Sequence, residues 1–226
     1  MSLTSWFRFL QWFSHYNRTG QARRALRAAP QRRFVPRLEL MEDRTLLTTY
    51  TVHNPQDSGA GSLRQAVLDA NAHAGTDTIA FADGLEGTIH LTSGNLLITD
   101  SVTIQGPGAD KVSVSGNDAS RVFETATGIN VTINDLTITH GKALDQGGGI
   151  LNDGANLTLS GDVLSQNVAS GSDTGTGGRG GGLRSLAGTL TITGCTISGN
   201  QALGGTAGQG HSTGNPLAAP SRTLPP

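Results

Sequence analysis

Two aspartates, Asp135 and Asp162, and the His140-Gly141-Lys142 run just beyond the first are the residues whose types could do chemistry. Carboxylates brought close together can hold Ca²⁺, or act as an acid–base pair with a nearby basic residue moving a proton. The two aspartates are 27 residues apart, so a coil of about that length would set them on adjacent turns. A slip of one residue points them to opposite faces instead. At the equivalent place in the following repeat stands Gly194-Cys195, so no third carboxylate recurs. The reading carried forward is a corner aspartate bonded to turn backbone. No catalytic residue is assigned.

The remaining candidates are weaker. His53, His73, His90 and His211 are scattered, without the spacing of a metal-ligand set. Gly177-Gly178-Arg179-Gly180-Gly181-Gly182 lacks the aspartate of a calcium-binding nonapeptide and is not in tandem. Gly147-Gly148-Gly149 is no phosphate loop, because neither a helix nor a Lys-Ser/Thr pair follows it. The single cysteine, Cys195, excludes an intrachain disulfide and a cysteine-built metal site. It lies in a strand-like run where a small buried apolar residue fits. No metal or cofactor site is expected.

The elements that must position these residues are short strands. Thr88–Leu91, Leu96–Ile98, Val102–Ile104, Val112–Val114, Val131–Ile133, Leu136–Ile138, Leu157–Leu159, Leu190–Ile192 and Cys195–Ile197 mostly alternate apolar residues with Thr or Ser. Alternation marks a strand with one buried face. The later segments also repeat. Asn130–Gly141 leads into Gly147-Gly-Gly-Ile-Leu-Asn152, Asn156–Asn167 leads into Gly180-Gly-Gly-Leu183, and Thr189–Asn200 begins a third copy. The offsets are 26 residues (Val131 to Leu157) and then 33 (Leu157 to Leu190), with the extra seven placed in Ser170–Gly178. Repeats of this length without helical periodicity predict a β-solenoid, with strands stacked ~4.8 Å apart and Thr or Asn ladders along the stack. Glycine triplets suit its coil corners.

Ahead of the repeats, Ser62-Leu63-Arg64-Gln65 reads as a capping box. Leu63, Ala66, Val67 and Ala70 make one apolar stripe, and Gly75 closes the segment. The spacing predicts a single amphipathic helix over about 62–74 between the strands Tyr50–His53 and Thr78–Phe81. Such a helix can shield the apolar cross-section of a first coil.

Residues 1–48 are a different material. Eight arginines and no acid precede Glu39, which leaves the rest with eight basic and 17 acidic residues and a net charge of −9. Trp6, Phe9, Phe13 and Tyr16 fall at helical spacing beside the arginines, as in a helix that lies on an anionic membrane surface. A continuous apolar core and a clean cleavage site are missing, and Arg32-Arg33-Phe34 hints at a twin-arginine signal without the apolar stretch it needs. We read 1–48 as a basic export leader, largely disordered with a short amphipathic helix, and 49–210 as the solenoid. Residues 211–226, with four prolines and no alternation, read as a disordered tail of a truncated or frame-altered chain. No run of ~18 apolar residues is present, so no transmembrane helix is expected. The acidic body gives no electrostatic reason to expect nucleic acid.

Three resemblances add to this. Arg37–Thr48 resembles the LEPR-XLL type of segment near the N-termini of exported bacterial surface proteins, with Asp43 where proline is usual. Gly61–Ala72 resembles the CSLREA-type segment that opens many bacterial β-helix proteins, with Gly61 in place of the cysteine and Gln65 in place of glutamate. The repeats over about 50–210 are similar to the pectin-lyase-like superfamily of right-handed parallel β-helices, and to repeat regions of polymorphic and autotransporter-like surface proteins. The resemblance implies an all-β, right-handed parallel β-helix, secreted or held at a bacterial cell surface. Its function would be non-enzymatic adhesion or matrix interaction, with an extracellular polysaccharide or surface protein as partner. Some families of this fold cleave acidic polysaccharides, so a lyase or glycosidase fragment is the alternative, and a non-functional fragment of a larger surface protein is a third reading. An exposed terminal rung would favour self-association.

Overall fold

The computed structural model describes residues 47–172 and 177–205. The leader helix, the export segment up to residue 46, the centre of the inserted loop and the Pro-rich tail lie outside the described residues.

Alternation of apolar and hydroxyl residues produces what its period dictates: short strands with one face in and one out. Eighteen strands are present among the described residues, in four stacked parallel sheets. The first sheet has six strands: β1 (Thr49–Val52), β2 (Asp77–Phe81), β5 (Val102–Gln105), β8 (Asn130–Asn134), β12 (Asn156–Ser160) and β16 (Leu190–Thr193). The second has five: β3 (Gly87–His90), β6 (Val112–Ser115), β9 (Thr137–Thr139), β13 (Val163–Ser165) and β17 (Thr196–Ser198). The third stacks β4 (Leu96–Ile98), β7 (Phe123–Thr125), β11 (Ile150–Asp153) and β15 (Leu183–Ala187). The fourth stacks β10 (Lys142–Leu144), β14 (Val168–Ser170) and β18 (Gln201–Leu203). Each strand pairs with its counterpart one coil away, so the chain is a parallel β-solenoid.

The core is a set of columns along the stack. Ile79, Ile104, Ile133 and Leu159 occupy one register position of the first sheet, and all are fully buried. Ile89, Val114, Ile138 and Leu164 do the same in the second sheet. Burying each such side chain is worth about 1.5–3 kcal/mol, and each coil buries its side chains against the coils above and below. The burial fails at the last described coil, where Leu190, Ile192, Ile197 and Leu203 are 38–53% exposed.

At the first coil a helix covers the core. In α1 (Leu63–Ala72) the four residues of the stripe, Leu63, Ala66, Val67 and Ala70, are buried, and the helix packs on β1, β2 and β4. Ser62 caps it, its Oγ accepting from the Gln65 N–H at 3.2 Å. The reciprocal half of the capping box is not made. The Gln65 amide donates instead to Asp69 at 2.8 Å, and the Ser62 N–H donates to the Gly59 carbonyl. The helix stops at Ala72 with His73 as its C-cap, two residues short of the expected glycine closure.

The fourth sheet was not legible as strands. In Lys142–Leu144, Val168–Ser170 and Gln201–Leu203 the central residue of each stacked trio is an alanine (Ala143, Ala169, Ala202), while Leu144 points outward and is 74% exposed. A three-residue strand with one small inward side chain leaves no apolar alternation to read. The Gly147–Gly149 and Gly180–Gly182 triplets stack, with the Gly149 N–H donating to the Gly181 carbonyl at 3.0 Å. A Cβ on Gly149 would lie 2.4 Å from the Gly182 carbonyl oxygen, so close approach of successive coils requires glycine there.

Candidate functional site

The register settles where the two aspartates point. Asn134 pairs with Ser160 and Thr137 with Val163, so Asp135 lies against Gly161 and Leu136 against Asp162. The coil repeat here is 26 residues, one short of the spacing between the aspartates, and the slip turns them to opposite faces. Asp135 sits at an outer corner with a left-handed φ of 55°. Asp162 points inward, in the column otherwise filled by Leu136 and Cys195, and is fully buried. No hydrogen bond joins their carboxyl groups.

Asp162 is held by backbone, as a corner aspartate would be, but the backbone belongs to the preceding coil. Its Oδ1 accepts the Leu136 N–H at 2.9 Å, while Oδ2 has no partner. Burial pushes the carboxyl up to about 7. The amides of Leu136 and Ser160 oppose that rise, and the charge on Asp135 adds to it. His140 also has a left-handed φ, of 48°, and its Nδ1 lies 3.2 Å from Asp118 Oδ1, with both side chains exposed. Lys142 begins β10 with its side chain outward. Nothing converges on these groups. Among the described residues no cluster of three or more His, Cys, Asp or Glu side chains is placed to hold a metal ion. Cys195 is half-buried in the last coil, where its thiol donates to the Thr193 carbonyl at 3.5 Å. It packs against the core but is only partly buried, short of the full burial expected.

Polar side chains are instead organised along the stack. Inside, the Asn167 amide donates to the Ile138 carbonyl and to Asn200 Oδ1, both at 2.9 Å, and its own Oδ1 accepts the Gly141 N–H at 2.8 Å. Asn200 repeats the pattern by donating to the Leu164 carbonyl at 2.8 Å. On the third sheet Thr125, Asn152 and Ser185 form a second internal ladder, with links of 2.8 and 3.0 Å.

The outer surface carries the most regular feature. Thr49, Thr78, Thr103, Thr132, Thr158 and Thr191 share one register position on all six strands of the first sheet. The strand spacing of ~4.8 Å sets the interval between their side chains. Two residues further along each strand lies a companion column of Thr51, Ala80, Gln105, Asn134, Ser160 and Thr193, small or polar at every rung. Thr132, Thr158 and Thr191 lie in segments recognisable as repeats, and Thr103 lies in an alternating run. Thr49 and Thr78 lie in no such repeat, because α1 interrupts the chain between their strands, and only the pairing of β1 with β2 brings them into line. No family model, curated protein or solved structure matches this chain.

Proposed function

We propose that the chain is a non-enzymatic, secreted or surface-held β-solenoid module that adheres to extended carbohydrate through the outer face of its six-stranded sheet. The observation that carries this reading is the unbroken threonine column. Each rung offers a hydroxyl, able to donate and accept, beside a methyl group, and the regular interval suits a polymer that is itself a linear repeat. Shallow contacts of this kind are individually weak and gain affinity through number. The basic leader, the LEPR-XLL-like Arg37–Thr48 and the CSLREA-like Gly61–Ala72 support placing the module among exported bacterial proteins with the right-handed, pectin-lyase-like winding.

Binding of the full chain to immobilised linear polysaccharides, neutral and acidic, tests the reading. Thr103→Lys with Thr158→Lys should lower retention at least about ten-fold, the loss of roughly 1.4 kcal/mol. Ser113→Lys on the neighbouring sheet should leave it unchanged. Failure to bind any polysaccharide, or equal loss from both faces, would overturn it.

A further inference from the structure

Thr48, His73 and Asp77 meet where the basic leader joins the solenoid, and Thr48 and Asp77 immediately precede Thr49 and Thr78, the first rungs of the threonine column. Asp77 is the first residue of β2 and is fully buried. His73 is the C-cap of α1, and its Nδ1 lies 3.1 and 3.2 Å from the two Asp77 oxygens. A carboxylate only accepts, so Nδ1 carries a proton, and in the neutral ring Nε2 is then the basic nitrogen. That Nε2 is 3.5 Å from Thr48 Oγ1. The Thr48 backbone is held on both sides, its N–H donating to Asp77 Oδ1 at 3.1 Å and its carbonyl accepting the Thr78 N–H at 2.8 Å. A hydroxyl, a base beside it and a buried carboxylate that orients the base are the parts of an activated nucleophile. The imidazole is 37% exposed, so water can reach it.

We propose that this constellation cuts its own chain at the Leu47–Thr48 peptide bond and releases the leader. The Thr48 Oγ1 attacks the Leu47 carbonyl carbon while its proton passes to His73 Nε2. The C–N bond then breaks, the departing Thr48 nitrogen takes the proton from His73, and Leu47 is left esterified to Oγ1. One water hydrolyses that ester, giving a Leu47 carboxylate and restoring the threonine hydroxyl, with no change in oxidation state. The new α-ammonium of Thr48 forms beside Asp77, where a buried carboxylate gains a full positive partner. The substrate is the chain itself, which removes any need for a binding pocket, and the attack is intramolecular. Thr48 and His73 touch the reacting atoms; Asp77 is a positioning residue.

The test is intact-mass analysis of the purified full chain during incubation, with hydroxylamine added to parallel samples. The expected result is loss of residues 1–47, a new N-terminus at Thr48, and faster release with hydroxylamine, which attacks the ester. Thr48→Ser should still cut, Thr48→Ala should not, and His73→Gln should slow cutting by ~10²-fold or more. Circular dichroism on each variant separates loss of chemistry from loss of fold. For Asp77→Asn the ¹⁵N shifts of the His73 ring should move from the Nδ1–H tautomer toward a mixture as cutting slows, a signature that a merely structural role would not give. A stable intact chain, cleavage at another bond, or equal cleavage of Thr48→Ala would overturn the proposal.

Discussion

Asp162 occupies an inward position that its neighbours along the stack fill with Leu136 and Cys195, and the substitution has a measurable cost. Its carboxyl is raised from 3.8 to about 7, so the neutral form is the one the fold accommodates. Below about pH 4 the group is protonated both folded and unfolded, and its contribution is fully present. Between 4 and 7 only the folded state keeps the proton, so stability falls as pH rises, and above about 7 the loss is complete. Asp162→Asn should flatten this slope, and Asp162→Leu should raise the melting temperature at pH 8 by a few degrees; thermal melts at pH 5 and pH 8 check both. Asn167 makes the opposite case. It bonds two coils other than its own through both ends of its amide, so Asn167→Ala leaves buried backbone groups unpaired and should cost about 1–3 kcal/mol in denaturant unfolding. Asp162 could be named from sequence but not aimed, because a 26-residue and a 27-residue repeat differ by a reversal of face.

At the scale of elements, α1 shows what its sequence made legible and what it did not. The stripe and the Ser62 cap follow from spacing and are found as read. What fastens the helix to the solenoid follows from no local rule. Arg64 donates to Asp57 at 2.7 Å and to the carbonyls of Gly94 and Asn95 at 2.6 and 2.9 Å. Asp57 in turn accepts from the Thr92 and Ser93 amides. Burial alone would push the Asp57 carboxyl up, but the bonds from Arg64, Ser93 and Thr92 outweigh it and hold it below its ordinary value. The stabilisation is thus present above about pH 4 and is lost as pH falls through the lowered value. Arg64→Ala should loosen the helix from the β3–β4 connection and cost about 1–3 kcal/mol. Amide exchange should quicken in α1 while β8 and β12 stay protected. The strands of the first two sheets were legible because they alternate; those of the fourth were not, because an alanine column carries no signal.

Across the whole molecule, each coil touches only the coils next to it, so stability is a sum of neighbouring interfaces. The first described coil is covered by α1, and the last described coil exposes Leu190, Ile192, Ile197 and Leu203. We therefore expect amide exchange to be fastest in β16, β17 and β18 and slowest in β5, β8 and β9. Pairing of the apolar residues of the last described coil with those of a second copy would join two copies symmetrically, with α1 covering the first described coil of each. Sedimentation should show a monomer–dimer equilibrium, which Ile192→Glu with Ile197→Glu abolishes; growth into fibres would contradict it.

The parallel registers have a mechanical consequence. Every interstrand hydrogen bond runs along the solenoid axis, so a load applied along that axis pulls coils apart one at a time rather than shearing a sheet at once. The stacked first-sheet strands are offset by 26 residues from Val131 to Leu157 and by 33 from Leu157 to Leu190. At ~3.5 Å per extended residue, those coils release about 90 and 115 Å of chain. Under such a load the chain would yield in small unequal steps, lengthening under strain while the remaining coils stay wound.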